Sequence, residues 1–365
     1  MRAVQFQAFG GALGVVEVAE PEPLADGAVV QVEATGVCRS DWHGWQGHDP
    51  DVVLPHIPGH EFAGTVRAVG SLVRRWHGGE RVTAPFVCAC GSCAMCARGD
   101  QQVCERQSQP GFTQAGSFAE LVVIRHADVN LVGLPAGLDA VSAAALGCRF
   151  ATAFRAVAQL GRPSPGDWVA VHGCGGVGLS AIMVSVAVGA RVAAVDVSPL
   201  ALGLAADLGA ELCVDASTLG GPGSAASSGQ VEVAKVAAAV GGAVRDATGG
   251  GVQVSIDALG SLVTSASSVH SLARRGRHVQ VGLLPPALGT PPLPMDRVIG
   301  AELQILGSHG MAAHTYPPML AAVLAGRLRP GRLVTARVGL DAVPGVQAAM
   351  GDPTATRPGI TVVEL

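Results

Sequence analysis

The sequence predicts an α/β chain, with a mostly antiparallel β region followed by a doubly wound parallel sheet. Two observations carry this. Up to about residue 147, short apolar stretches (29–32, 64–69, 81–85, 118–124) alternate with Gly and Pro punctuation, the pattern of strands joined by turns. From residue 151 the rhythm becomes strand, helix, strand, which implies a parallel sheet covered on both faces.

The elements follow in order. Residues 1–7 read as an opening strand. In the second half 168–172 is a strand, 177–188 a helix and 191–195 a second strand. Segments 211–214, 252–257 and 278–281 continue the series, separated by Ala-rich helical stretches. Residues 218–230, rich in Gly, Ser and Ala, cannot build a core and read as a flexible surface insertion. The end, 360–365, is β-like, and the segment from 306 is expected to rejoin the first domain. The expected division is therefore 1–149, with a cysteine-rich lobe at about 88–106, then 150–305, then a returning segment 306–365.

With 365 residues, 49% hydrophobic and 14% charged, the chain can bury a large core and is no disordered, charge-rich polymer. A net charge of −4 without basic clusters excludes a nucleic-acid footprint. The longest apolar run, 179–190, ends at Arg191, short of the roughly 20 residues of a membrane span. No signal-peptide pattern opens the chain, so a soluble cytoplasmic protein without a membrane partner is expected. Five of the nine cysteines lie between Cys88 and Cys104, which suits a metal site in a reducing compartment.

Gly173-Cys-Gly-Gly-Val-Gly178 follows a strand and opens a helix. In such a loop Gly173 permits the turn, Gly175 lets the backbone approach a pyrophosphate, and Gly178 lets helix pack on strand, with Gly176 and Val177 at the helix N-terminus. Asp196 comes 18 residues after Gly178, where a carboxylate binds a ribose 2′-hydroxyl. An acid there repels a 2′-phosphate, so NAD(H) is expected over NADP(H), with Ser198 and Arg191 the nearby groups that bear on the choice.

Cys90, Cys93, Cys96 and Cys104 have the spacing C-x2-C-x2-C-x7-C. Four thiolates from one loop surround Zn²⁺ tetrahedrally and leave no position for substrate, so the site is read as structural. Cys38, in Cys38-Arg-Ser-Asp-Trp-His43, and His60, in Gly59-His-Glu61, are candidate ligands of an open site. Taken alone, each is more often structural.

Together these motifs resemble the zinc-dependent medium-chain alcohol dehydrogenases along nearly the whole chain, with Gly147-Cys148 as a further marker. The resemblance implies a GroES-like catalytic domain and a Rossmann coenzyme domain, with two Zn²⁺ per subunit. Cys38, His60 and Cys148 match the ligands of the catalytic zinc, and Glu61 a neighbouring acid that can bind it transiently. Cys148, where relatives acting on polyols often carry Glu, favours the alcohol dehydrogenase branch. Ser40 matches the hydroxyl that accepts the substrate proton, His43 the histidine that passes it to solvent, and Asp41 the carboxylate orienting His60. Arg39 matches a pyrophosphate-binding arginine, Thr152 a threonine beside the nicotinamide, and Phe86 an aromatic wall of the substrate pocket. Trp45 is a second candidate wall, and Arg357 a candidate contact to the cofactor phosphates. Where many NAD-using relatives have a lysine five residues after the ribose-binding acid, this chain has Ala201.

The implied reaction is NAD(H)-linked, reversible oxidation of a primary or secondary alcohol to an aldehyde or ketone, by hydride transfer from a zinc alkoxide. The alternatives are an NAD(P)H-dependent aldehyde or ketone reductase of a biosynthetic pathway, or a non-catalytic zinc- and nucleotide-binding regulator. By the same resemblance, the compact stretch from Cys104 to Cys148 lacks room for the extra loop of dimeric animal members and looks like the microbial tetrameric kind, so a homotetramer is expected, with a dimer as the alternative. Cys88, Cys174 and Cys213 remain without a role. Cys174, at a helix N-terminus, is expected to have a lowered pKa and to invite oxidation.

Overall fold

The computed structural model describes residues 1–220, 229–284, 289–352 and 358–365. They form two compact units, Met1–Ala151 with Gly310–Leu365, and Thr152–His309.

The first unit opens with β1 (Arg2–Phe6) and β2 (Leu13–Glu17), an antiparallel pair. Its main sheet is built on β3 (Ala28–Val37), which pairs antiparallel with β4 (Glu61–Val69) along most of its length. β5 (Arg81–Thr83), β6 (Leu121–Ile124) and β7 (Val132–Gly133) complete this part. Val30, Val32, Phe62, Val66, Val82, Val122 and Ile124 form its core around Trp76. Alternation along these strands sends one set of side chains inward, which is why short apolar stretches sufficed to mark them.

The second unit is a six-stranded parallel sheet: β8 (Trp168–His172), β9 (Arg191–Asp196), β10 (Leu212–Asp215), β11 (Val252–Asp257), β12 (Leu272–Gln280) and β13 (Gln304–Gly307). Their order is β10-β9-β8-β11-β12-β13, so the winding reverses between β8 and β11. In such sheets ligands bind beyond the carboxyl ends of the strands at that reversal. β8 is wholly buried, as a strand covered on both faces must be.

The chain then returns. β14 (Val334–Gly339) runs parallel to β15 (Ile360–Glu364), and β15 pairs antiparallel with β3, Thr361 opposite Val37. The last strand thereby fixes the end of β3, from which Cys38 emerges.

Three readings change. β12 begins at Leu272, not 278, and β13 was not anticipated. Of the expected insertion 218–230, residues 221–228 lie outside the described set; Thr218 and Leu219 belong to a 3-10 turn and Gln230 starts a helix. Arg357 also lies outside the described residues. No helix among the described residues is long and apolar enough to cross a membrane.

Candidate metal centres and nucleotide loop

β3 ends at Val37, and the helix Arg39–Trp45 starts at once, with Cys38 in extended backbone before it. Asp41, three residues on, closes a capping box: its Oδ2 accepts the Cys38 N–H at 2.9 Å. The same buried carboxylate, through Oδ1, accepts from Gly59 N at 3.0 Å and meets His60 Nδ1 at 2.9 Å. One aspartate therefore ties the helix start to the entry of β4 and fixes the His60 ring. With Nδ1 engaged by the carboxylate, His60 Nε2 is left buried with no hydrogen-bond partner among the described residues.

Cys148 sits in a widened π-type turn, Leu146–Phe150, of the kind often found at functional sites. Ligand atoms of Cys38, His60, Glu61 and Cys148 lie within 4.8 Å of one another. Cys38 and His60 are buried, whereas Cys148 is half-buried. A hydrogen bond with Cys148 holds the Cys38 thiol well below its ordinary pKa, against the opposing effect of burial, and Arg149 and His60 add to it. The same hydrogen bond, burial and the Cys38 charge push Cys148 well up. Two thiols this close cannot both ionise without a cation between them. The orphaned imidazole nitrogen and the two thiols thus fit a soft divalent metal.

Glu61 is held otherwise. Its carboxylate accepts from Cys148 N at 3.2 Å and Arg149 N at 2.8 Å, and forms a buried ion pair with the Arg149 guanidinium through Nε and Nη2. Ser40 Oγ lies 3.8 Å from Cys38 Sγ. His43 is half-buried and its Nδ1 meets His48 Nδ1 at 2.9 Å. Arg39 Nη1 donates to Met350 O at 2.6 Å, and its guanidinium lies 4.8 Å over Trp42. Phe86 stands edge-on to the His60 ring at 6.3 Å, while Trp45 packs with Phe6, Val52 and Phe112 and donates to Gly11 O.

The second cluster is local. Cys90, Cys93, Cys96 and Cys104 converge, with Sγ–Sγ separations of 3.4 Å (Cys93–Cys96) and 3.7 Å (Cys93–Cys104). A Zn–S tetrahedron of about 2.3 Å bonds has S–S edges of about 3.8 Å, so the spacing fits. Cys104 Sγ accepts backbone N–H groups from Cys90 at 3.3 Å and Arg106 at 3.4 Å, as a thiolate would. Asn130 anchors the lobe, clamping the N–H and C=O of Ala89 at 2.7 and 2.9 Å. Cys88 stays apart: burial pushes its thiol up to about 12, and it donates to Pro85 O.

In the second unit the loop after β8 enters the helix Gly176–Ala187. Gly173 has φ +89°, and a Cβ on Gly178 would overlap Gly173 O. A Cβ on Gly175 would meet nothing within 4 Å, so open space faces the loop where a phosphate would lie. Asp196, at the end of β9, accepts from Cys174 N at 2.6 Å and Ser198 N at 2.8 Å. Arg191 lies at the opposite end of that strand, stacked 4.0 Å over Trp168 and paired with Glu211. Thr152 is buried, its Oγ1 without a hydrogen-bond partner among the described residues. Cys174 reverses its expectation: it is fully buried, and burial and Asp196 raise its pKa well above the ordinary value.

Four contributors escaped sequence reasoning. Arg149, His48, Phe112 (5.2 Å from the His60 ring) and Tyr316 (donating to Gly147 O at 3.0 Å) carry no local motif. Only the side-by-side placement of Cys148 and Arg149 offered a signal for the first.

A GroES-like β unit with two thiol-rich clusters, and a Rossmann unit with a glycine loop, define the class of zinc-binding dehydrogenases. Residues 25–136 match the alcohol dehydrogenase GroES-like domain, and residues 176–325 the zinc-binding dehydrogenase domain. The chain is 33% identical over 310 residues to an alcohol dehydrogenase of Geobacillus stearothermophilus, covering 84% of each. An alcohol dehydrogenase of Moraxella sp. (strain TAE123) is 38% identical over 219 residues, 59% of this chain, and the match spans only 64% of that relative. The alcohol dehydrogenase TADH from Thermus sp. ATN1 superposes with a TM-score of 0.84 at 30% identity, covering 100% of this chain and 99% of that one. The chain belongs to the zinc-type medium-chain alcohol dehydrogenase family.

Proposed function

We propose that this chain catalyses NAD(H)-linked, reversible oxidation of a primary or secondary alcohol to its aldehyde or ketone. One zinc would be held by Cys38, His60 and Cys148, with Glu61 beside it, and a structural zinc by Cys90, Cys93, Cys96 and Cys104. The observation that carries the reading is the buried His60 Nε2, unpartnered among the described residues and oriented by Asp41 toward two thiols. A zinc held there acts as a Lewis acid that lowers the pKa of an alcohol hydroxyl. A nicotinamide cofactor bound at the glycine loop would supply the hydride acceptor.

The chain's own residues supply the rest. Asp41 fixes the His60 tautomer, as imidazole ligands need. Ser40 and His43 would take the hydroxyl proton to solvent, and the half-burial of His43 suits such a handover. Phe86 and Phe112 flank the His60 ring and would line the substrate side, with Trp45 held in the packing behind Phe112. In the other unit the N-terminus of the helix Gly176–Ala187 would hold the pyrophosphate. Asp196 would hold the ribose, Thr152 would lie beside the nicotinamide, and Arg39 would contact the pyrophosphate. Placement of Arg191 at the far end of β9 supports NAD(H) over NADP(H), because it removes one cation from the ribose end.

The partner is a small alcohol or carbonyl compound. None of the nine cysteines is in a disulfide, which suits the cytoplasm. A homo-oligomer, tetramer or dimer, is proposed. β13 pairs on one side only, and Ile305, on it, and Ile299, just before it, are exposed, an edge a second copy would cover.

The test is a substrate panel followed at the NADH absorbance with NAD and NADP in parallel, beside zinc analysis of the purified protein. Two zincs per chain and NAD-dependent turnover are expected. Cys148→Ala is expected to lose turnover and one zinc, and Cys104→Ser the other zinc. A Cys148→Ala protein with full zinc and full turnover would overturn the ligand set. A strong NADP preference would remove the role given to Asp196. Two zincs without cofactor reduction on any alcohol would favour a binding regulator.

A further inference from the structure

After the helix Arg39–Trp45 the chain turns back on itself, and His48 N donates to His43 O at 3.0 Å. The turn brings two imidazoles together, with Nδ1 to Nδ1 at 2.9 Å and ring centroids 5.2 Å apart. Trp42 stands edge-on to both rings, at 5.0 Å from His43 and 5.7 Å from His48. The pair is therefore held from three directions: by backbone, by its own hydrogen bond, and by a shared aromatic wall. His43 is half-buried and His48 exposed.

Two Nδ1 atoms at 2.9 Å must share one proton, one ring donating while the other accepts. Such a bond has a direction, and reversing it moves a proton from one ring to the other. The inner ring is a poor place for a charge to rest. Burial, Arg39 and His48 all disfavour protonation of His43, while Cys38 alone favours it. A proton arriving at His43 is thus driven outward, and the bonded acceptor is His48.

We propose that His48 is the outlet of the proton path, taking the proton from His43 through the Nδ1–Nδ1 bond and releasing it to water. The inference rests on the alcohol oxidation proposed above. In balance, Ser40 Oγ takes the hydroxyl proton of the alcohol as its own proton binds His43 Nε2, the His43 Nδ1–H bond breaks as the His48 Nδ1–H bond forms, and His48 Nε2–H gives its proton to water. The relay ends with no net charge on either ring, and the hydride travels separately to the nicotinamide. His48 touches neither substrate nor cofactor in this scheme; it acts through His43.

The test compares His48→Ala, His48→Gln and His43→Ala in the zinc-loaded enzyme oxidising an alcohol. Readouts are kcat and KM against pH, the solvent deuterium isotope effect, and the response to added imidazole. For His48→Ala, kcat is expected to fall about 10-fold, less than the ~10²–10⁴ of a direct acid or base, with KM unchanged. The solvent isotope effect is expected to rise, and free imidazole to restore kcat. His48→Gln keeps a side chain able to bond His43 but cannot pass a proton on, so it is expected to resemble His48→Ala. Wild-type kcat and pH profile in His48→Gln would reduce His48 to a prop for His43 and overturn the proposal. Wild-type behaviour of His48→Ala beside a crippled His43→Ala would overturn it while leaving the relay through His43 standing. Wild-type turnover in His43→Ala would remove the relay itself and the outlet with it.

Discussion

The Arg149–Glu61 pair governs the charge of the first cluster. Both residues are buried, and the guanidinium meets the carboxylate through Nε and Nη2. Two thiolates and the Glu61 carboxylate would be an excess of negative charge even around a divalent metal, and Arg149 offsets one of these charges. It also contacts both oxygens of Glu61, so it competes with a metal for that carboxylate. Removing one member of a buried pair leaves the other charged and unsolvated, which costs about 3–5 kcal/mol. Arg149→Met is therefore expected to lower the unfolding free energy by that order, read by urea denaturation of the zinc-loaded protein. Arg149→Met with Glu61→Gln is expected to recover most of the loss, since no bare charge remains. Equal losses in the single and the double variant would show that packing, not charge, is what Arg149 supplies. Gly36 belongs to the same arrangement, because a Cβ there would meet Arg149 Nη2 at 2.8 Å.

At the scale of elements, the most legible feature was the one whose parts lie close in sequence. β8, the glycine loop and the helix behind it form one local unit, and apolar run, glycines and closing Asp196 all sit within 29 residues, 168–196. The four-cysteine lobe was legible for the same reason. By contrast Arg149 and Glu61 are 88 residues apart, and Phe112 meets His60 only through the folding of the β unit. No local pattern encodes such pairs. The first half of β12 leaves a weak signal because Arg274, Gly276 and Arg277 resemble a turn, and the strand there carries exposed residues and a register shift against β11. β13 left no signal at all: it is a four-residue edge strand with little burial, so neither an apolar run nor alternation marks it. The glycine loop makes a quantitative test. Gly178→Ala would press a methyl group onto Gly173 O, so helix and strand must separate. Stability is expected to fall by about 1–3 kcal/mol, as in other overpacked sites. NADH affinity, followed by nucleotide fluorescence, is expected to fall at least about tenfold, a difference of ~1.4 kcal/mol. Gly203→Ala is the control. It lies in the helix Pro199–Asp207 with nothing within 4 Å of its would-be Cβ, and is expected to leave affinity unchanged while stabilising by about 0.5–1 kcal/mol.

On the scale of the whole molecule, the two units should fail for different reasons, and acid separates them. The parallel sheet buries two histidines, His172 at the end of β8 and His278 on β12. His172 Nε2 bonds Ser271 Oγ, which itself donates to Ser267 O, so the ring must be the donor and its Nδ1 is bare, buried and unpartnered among the described residues. His278 Nε2 lies 3.1 Å from Gln280 Oε1, an obligate acceptor, so Nδ1 must accept from Ser268, which in turn bonds Ser255. Protonating either ring places a charge where burial opposes it and, for His278, removes an acceptor the network uses. Burial holds the His172 pKa at about 3 and that of His278 at about 4, against an ordinary 6.5. The unfolded chain therefore binds more protons than the folded one below pH 6.5, and stability falls as pH drops through that value toward 4 and 3. Buried Asp257 is shifted upward and opposes this trend, gaining stability as it protonates, but one acid offsets two imidazoles only in part. The loss for the pair is on the order of several kcal/mol, comparable to the whole stability of many domains. Hydrogen exchange at stepped pH is expected to show β8, β11 and β12 losing protection together between pH 6 and 4.5, with the sheet around β3 and β4 following later. His278→Gln, able to bond both Ser268 and Gln280 without titrating, should shift the loss in the second unit to lower pH. Unchanged acid sensitivity in that variant, with the fold intact at neutral pH, would place the weakness elsewhere than in these buried rings.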